Sequence, residues 1–174
     1  MMLLCGLVYD KTVAWKALMD SGYISKLKTP LECETVMKNA RTKGRKDVYD
    51  AALRRKCELA GIANEDPNDP LIRAFYETLS ARENLLREKH SGKHIKAAYT
   101  RRMVEKHGVQ YCLMKWAGFG NQTTDGFDDF IAAGMADMTA EALVVRFSER
   151  FPSEVVAQAR ERLVKAGVTG HTYP

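Results

Sequence analysis

Lysine and arginine side chains concentrate in two stretches of this sequence, and the chemistry they offer is the neutralisation of phosphate. Residues 38–56 carry eight cations against two carboxylates, and residues 87–107 carry seven against two. Cations that share a surface release the counterions condensed on a nucleic acid, which favours binding. Residues 117–154 reverse the balance, with seven carboxylates against two arginines. The sequence therefore predicts a basic middle followed by an acidic region.

The segment RRMVEKHGVQYCLMKWAG, residues 101–118, has the outline of a helix, a break at Gly108 and a second helix. A helix-turn-helix motif places its second helix in the major groove of DNA, where Gln110 and Lys115 would contact base edges or phosphate. Glycine joints between helices are also typical of all-α proteins that bind no DNA. The second helix is short, and bulky residues precede the glycine. The segment is a better candidate for phosphate contact than for base reading.

The predicted nucleic-acid-binding residues are the cations of both basic stretches, with neighbouring polar and aromatic side chains. Tyrosines can stack on bases, although tyrosines that straddle core and solvent are commoner. The alternative is that these cations only solvate helix faces, in pairs one turn apart such as Asp50 with Arg54. The set comprises Arg41, Lys43, Arg45, Lys46, Arg54, Arg55, Lys93, Lys96, Tyr99, Arg101, Arg102, Lys106, Gln110, Tyr111 and Lys115.

The acidic region raises a second kind of chemistry, that of a metal-dependent enzyme. The same spacing is typical of helix capping and of a solvated helix face, and Asp125 is expected to cap the helix that follows it. We therefore predict no catalytic residue, no metal ligand and no cofactor, and we favour a protein that is not an enzyme. The carboxylates of this alternative are Asp125, Asp128, Asp129, Asp137 and Glu141.

Helices must position these side chains, and the first two are predicted as a pair. Thr29 and Glu32 form a capping-box pattern around Pro30, which suits the first turn of a helix. The second helix is expected to end at Gly61. A short link joins the two, so residues 29–61 predict an antiparallel helical hairpin.

The rest of the chain continues the helical pattern. Helices are predicted from Asp69-Pro70 to about Lys89, over 93–107 and over 109–116, and three shorter ones follow. The fold class is all-α, a compact domain of about seven or eight helices. Residues 3–9 are predicted as a short strand or a buried N-terminal segment.

The length of 174 residues indicates one domain or two small ones. We assign residues 1–26 to an N-terminal segment and residues 27–167 to a single helical domain, with a sub-boundary in the loop 62–70. Residues 168–174 are expected to form a flexible C-terminal tail.

Net charge and cysteine spacing limit the kinds of protein that this sequence can be expected to encode. The net charge is +5, the pI is about 9.0, and none of the four cysteines forms a C-x-x-C pair. These features favour a cytoplasmic protein, with no membrane segment and no zinc ribbon. The leading hypothesis is a DNA-binding protein or accessory domain of bacterial or phage type that is not an enzyme. The alternatives are a helical protein-interaction module, which includes a homo-oligomer, and the metal-dependent enzyme.

Overall fold

A computed structural model of the chain describes residues 21–63, 68–93, 97–118 and 125–168. These residues form eight α-helices and two 3-10 helices, and they contain no strand. The predicted all-α class is confirmed. The strand predicted over residues 3–9 lies outside the described residues.

The helices are numbered here in chain order, and the two 3-10 helices flank α7. The α-helices are α1 (Ser21–Ile24), α2 (Pro30–Thr42), α3 (Lys46–Ile62), α4 (Pro70–Lys89), α5 (Ala98–Trp116), α6 (Asp125–Ala132), α7 (Ala140–Arg146) and α8 (Ser153–Lys165), and the 3-10 helices are Ala136–Met138 and Ser148–Arg150. Within the described ranges, each helix is too short or too polar to cross a lipid bilayer.

The chain divides into two compact units, Met1–Lys56 and Cys57–Pro174, which we call the first and the second unit. The division falls within α3. The single domain over 27–167, with its sub-boundary at 62–70, stays a prediction.

The first unit contains the predicted start of the hairpin. The Thr29 hydroxyl accepts from the backbone N–H of Glu32 at 3.2 Å, and the Glu32 carboxylate accepts from the N–H of Thr29 at 2.9 Å. This reciprocal capping box satisfies two N–H groups that the first turn of a helix leaves unpaired. Between the two helices, Lys56 Nζ contacts Glu34 Oε1 at 2.7 Å, and the Arg55 guanidinium donates to the carbonyl of Leu27 in the segment before α2.

The second unit is built around α7. Five consecutive residues of this helix, Ala140 to Val144, are buried, and the helix packs against α4, α5 and α8. Leu143 and Val144 join Phe75, Leu113 and other apolar side chains in one core. A helix that is buried on every side has no face on which to expose a charge. Glu141 therefore lies inside the protein, with 1% of its surface exposed.

Helix α5 is broken where the sequence predicted a break. Gly108 has φ 81° and ψ 169°, a conformation outside the helical region that is essentially restricted to glycine. The break separates residues 98–107 from 109–116. Apolar side chains from both segments, Met103, Val109 and Leu113, belong to the core of the second unit or pack on it.

Three predicted boundaries need correction. Gly61 does not end its helix, which continues to Ile62; a Cβ at Gly61 would lie 2.7 Å from Glu77 Cγ, so the glycine permits close packing. The helix predicted from Lys93 begins at Ala98, and the backbone N–H of Ala97 is held by the carboxylate of Glu83 at 3.0 Å. Helix α6 already includes Asp125, which was predicted to cap it from outside.

Candidate functional site

The cations of the first unit gather where α2 ends and α3 begins. Four of the five are exposed, Arg45 is half-buried, and the turn between the helices is Lys43-Gly44-Arg45. We call this cluster the basic tip. It comprises Lys38, Arg41, Lys43, Arg45 and Lys46.

Part of the basic tip is paired within the protein. The Arg45 guanidinium donates two hydrogen bonds to the Asp47 carboxylate, at 2.9 and 2.7 Å, and holds the pKa of Asp47 down at about 2. Lys46 Nζ lies 2.6 Å from Asp50 Oδ2. Because these pairs are exposed, they orient the side chains more than they stabilise the fold.

Arg41 is held differently, by an aromatic ring. Its guanidinium lies 5.0 Å from the centroid of the Tyr49 ring, and its Nη2 donates to the Tyr49 hydroxyl at 3.2 Å. A guanidinium above an aromatic face is attracted by the electrons of the ring. This contact links α2, which carries Arg41, to α3, which carries Tyr49.

The other predicted cations of the first unit lie further along α3. Arg54 and Arg55 are both half-buried, and the Nε of Arg55 donates to the carbonyl of Leu27 at 3.0 Å. This bond ties α3 to the segment before α2. The structure thus gives Arg55 a role inside the hairpin that its position in the sequence did not indicate.

The predicted residues of the second unit lie on or near α5. Arg102, Lys106 and Lys115 are exposed, as are Lys93 and Tyr99, whereas Lys96 lies outside the described residues. Arg101 is exposed as well, but its guanidinium contacts the Glu83 carboxylate at 3.0 Å.

In the helix segment after Gly108, some of the polar side chains already form contacts within the protein. The Gln110 amide, predicted to reach a base edge, donates to the carbonyl of Arg150 at 3.2 Å. The ring of Tyr111 is half-buried and lies 4.6 Å from the ring of His107, with Lys115 Nζ on it at 5.8 Å. Base reading by this segment stays a prediction, and its polar contacts favour a structural role.

Two of the carboxylates considered for a metal-dependent enzyme, Asp129 and Glu141, lie in separate ion pairs. Asp129 is bonded by Arg82 and lies 3.2 Å from Lys89 Nζ, and these cations lower its pKa. Glu141 is buried, whereas Asp128 is exposed. In the described part of the chain, no group of three or more His, Cys, Asp or Glu is placed to hold a metal ion.

A cavity of about 310 Å³ opens in the second unit beside this region. We call it the Glu141 cavity. Its lining combines three aromatic rings, two charged side chains and small or apolar residues: Arg82, Leu86, Ala97, Thr100, Trp116, Gly126, Phe127, Phe130, Ala140 and Glu141.

Sequence reasoning named Glu141 only as one member of an acidic series. The local signal for burial was present, since Ala140 precedes it and Ala142, Leu143 and Val144 follow it. Arg162, which contacts it, is 21 residues away, and no local pattern connects the two.

Comparisons with known proteins give no relative for this chain: no protein-family model matches it, and neither does any curated protein or solved structure.

Proposed function

We propose that the protein is a cytoplasmic nucleic-acid-binding protein, not an enzyme, which contacts phosphate groups, those of DNA foremost, through the basic tip. The observation that carries this proposal is the division of charge between the two units. Residues 21–56 hold ten cations against four carboxylates, whereas residues 57–174 hold fifteen against sixteen. The excess of positive charge therefore belongs to the first unit.

Half of this excess lies at the basic tip, which has five cations beside Asp47 and Asp50. Asp47 and Asp50 offset two of the five cations of the basic tip. A surface turn with this surplus attracts polyanions at long range and gains affinity when the phosphates release their counterions.

The pairing of Arg41 with Tyr49 supports the same function. A guanidinium that is already held over a ring loses less side-chain freedom when it binds a phosphate than a free arginine does. The contact with Tyr49 thus holds the Arg41 guanidinium, a planar hydrogen-bond donor, at the surface of the hairpin.

The exposed cations of α5 have a secondary place in this proposal. Arg102 and Lys106 are exposed and face solvent, but they belong to a unit whose total charge is close to zero. We assign them weaker phosphate contacts than those of the basic tip.

The test is a salt titration of binding to labelled duplex DNA, single-stranded DNA and RNA, followed by fluorescence anisotropy. For a duplex, the logarithm of the affinity falls with the logarithm of salt by about 0.9 for each phosphate contact. Replacement of both Arg41→Glu and Lys43→Glu removes two of the proposed contacts. We expect this double variant to bind more weakly. We also expect the slope of the logarithm of affinity against the logarithm of salt to be less steep by about 2.

Two further double variants separate the basic tip from general charge effects. Arg160→Glu with Lys165→Glu makes the same change in net charge on α8, where both residues are exposed. Arg102→Glu with Lys106→Glu tests α5. We expect a small loss for α8 and an intermediate loss for α5.

Two results would contradict the proposal. One is equal loss of affinity in the basic-tip variant and the α8 variant. The other is the absence of binding to all three nucleic acids at low salt. If that second result came with concentration-dependent association of the chain, it would favour the protein-interaction module instead.

A further inference from the structure

The Glu141 cavity is lined by a carboxyl group that is almost completely buried. Glu141 is 1% exposed and lies in α7, the most enclosed helix of the second unit. Desolvation raises the pKa of its carboxyl, and the repulsion of Asp128 acts in the same direction. A buried carboxylate needs hydrogen-bond donors or a cation to offset the loss of water.

Arg162 supplies one such donor from α8. Its Nη1 donates to Glu141 Oε1 at 3.0 Å. The guanidinium also lies against the backbone of Gly118, at a place that any side chain on residue 118 would occupy. An ionised carboxylate has about four lone-pair sites. The carboxylate also accepts from the backbone N–H of Glu141 itself. These two donors leave it with acceptor capacity, and Glu141 lines the cavity.

Most of the other lining residues of the cavity are apolar, and three of them are aromatic. Trp116, Phe127 and Phe130 contribute rings from α5 and α6. Aromatic faces attract cations as well as apolar groups. A carboxylate next to aromatic rings is thus suited to an organic ammonium group.

The positive charge in the lining is already balanced. Arg82 is bonded to the Asp129 carboxylate, which also lies 3.2 Å from Lys89 Nζ. An acidic ligand would have to compete with Asp129 for that guanidinium. Glu141 is paired as well, with Arg162, but a carboxylate can accept from two cations at once, as Asp129 does from Arg82 and Lys89. The Glu141 carboxylate is therefore the group of the lining that an added ammonium would share with Arg162.

We propose that the Glu141 cavity binds a small amphipathic amine, with its ammonium group on the Glu141 carboxylate and its hydrocarbon part among Trp116, Phe127 and Phe130. The volume of about 310 Å³ is at the lower end of the range for ligand pockets, so the ligand is small. This inference does not depend on the proposed nucleic-acid function, because it rests on other residues in the other unit.

The test compares three ligands of similar shape on the full chain: phenethylamine, phenethyl alcohol and hydrocinnamate. Trp116 reports binding through its fluorescence when Trp15→Phe removes the second tryptophan of the chain. A hydrogen bond to a charged group corresponds to a preference of about tenfold or more. We expect the amine to bind at least about tenfold more tightly than the alcohol, and the acid to bind most weakly.

Glu141→Gln isolates the carboxylate. We expect this variant to bind the alcohol as before and to lose the preference for the amine. Because the substitution also removes the partner of Arg162, Phe127→Ala provides a second variant that keeps the ion pair. It should weaken the amine and the alcohol alike, since it removes part of the aromatic wall.

Equal affinity of the wild-type protein for the three ligands would overturn the proposal, as would no change in Trp116 fluorescence with any of them. Retention of the amine preference in a folded Glu141→Gln protein would also overturn it. If Glu141→Gln does not fold, unchanged amine binding in Phe127→Ala has the same consequence.

Discussion

A substitution at Gly118 tests directly how the second unit is packed. It follows α5, has φ +86° and is buried, with the guanidinium of Arg162 against it. We predict that Gly118→Ala destabilises the protein for two reasons that can be measured separately. The first is the backbone conformation, and the second is the collision of the new methyl group with Arg162.

The two contributions have different sizes. A residue with a Cβ pays about 1–2 kcal/mol to adopt a left-handed conformation. Breaking a buried ion pair costs about 3–5 kcal/mol, because it leaves an uncompensated charge inside the protein. Arg162 has 23% of its side chain exposed and can shift partly toward solvent, so only part of this cost applies. We expect Gly118→Ala to lower the free energy of unfolding by about 3–4 kcal/mol in total.

Gly134 provides the matched control. It also has a positive φ, +70°, but a Cβ at this position would meet no atom within 4 Å. Gly134→Ala should therefore cost only the conformational part, about 1–2 kcal/mol. The assay is urea unfolding followed by the fluorescence of Trp116, whose ring is stacked on Phe75 at 5.2 Å, in a Trp15→Phe background.

The reasoning is refuted if the two glycine substitutions cost the same. A further check uses Arg162→Met, which removes the guanidinium. In that background, Gly118→Ala should cost no more than Gly134→Ala does, since the atoms it collides with are absent. An unchanged cost would mean that Arg162 is not the cause.

Three other changes test the second unit. Thr78→Val should leave stability unchanged or raise it by about 1 kcal/mol in urea unfolding, because the buried Thr78 hydroxyl has no hydrogen-bond partner within the described structure; a clear loss would contradict this. Asp69→Ala should cost about 1–2 kcal/mol by the same method, because Asp69 caps α4 and pairs with Arg150 at 2.7 Å, whereas Asp69→Asn should cost less because it retains the cap. Burial raises the pKa of Glu141 in the folded state, so the folded protein holds this proton more tightly than the unfolded chain. The unfolding free energy of the wild type relative to Glu141→Gln should therefore fall as the pH rises above the ordinary value of 4.5, and an increase would show the opposite sign of shift.

The features predicted correctly from the sequence are those set by neighbours along the chain. The capping box of Thr29 and Glu32 needs only the three-residue spacing between them. The break at Gly108 was likewise readable, because a glycine between two apolar patterns marks a change of direction. Secondary structure and the buried helix faces follow from such local rules.

The features that escaped prediction depend on segments distant in sequence. The sequence predicts a helix end at Gly61 because nothing nearby reveals that Glu77 and Arg73 approach it. In the sequence the acidic residues form one series, but in the fold Asp129 pairs with Arg82, 47 positions away. A sequence gives the number of charges in a region, but only the fold decides which of them are already matched.

The two proposals concern units that differ in how their charges are matched, so the proposals can be tested independently. In the second unit, cations and carboxylates nearly balance, and several pair with each other, as Arg150 does with Asp69 and Arg162 with Glu141. The first unit has too few carboxylates to do the same, so its surplus charge must be met by solvent ions or by a polyanion. Glu141→Gln should therefore leave the salt dependence of nucleic-acid binding unchanged. Arg41→Glu with Lys43→Glu should leave amine binding unchanged, and an effect of either change on the other site would show that the two activities are coupled.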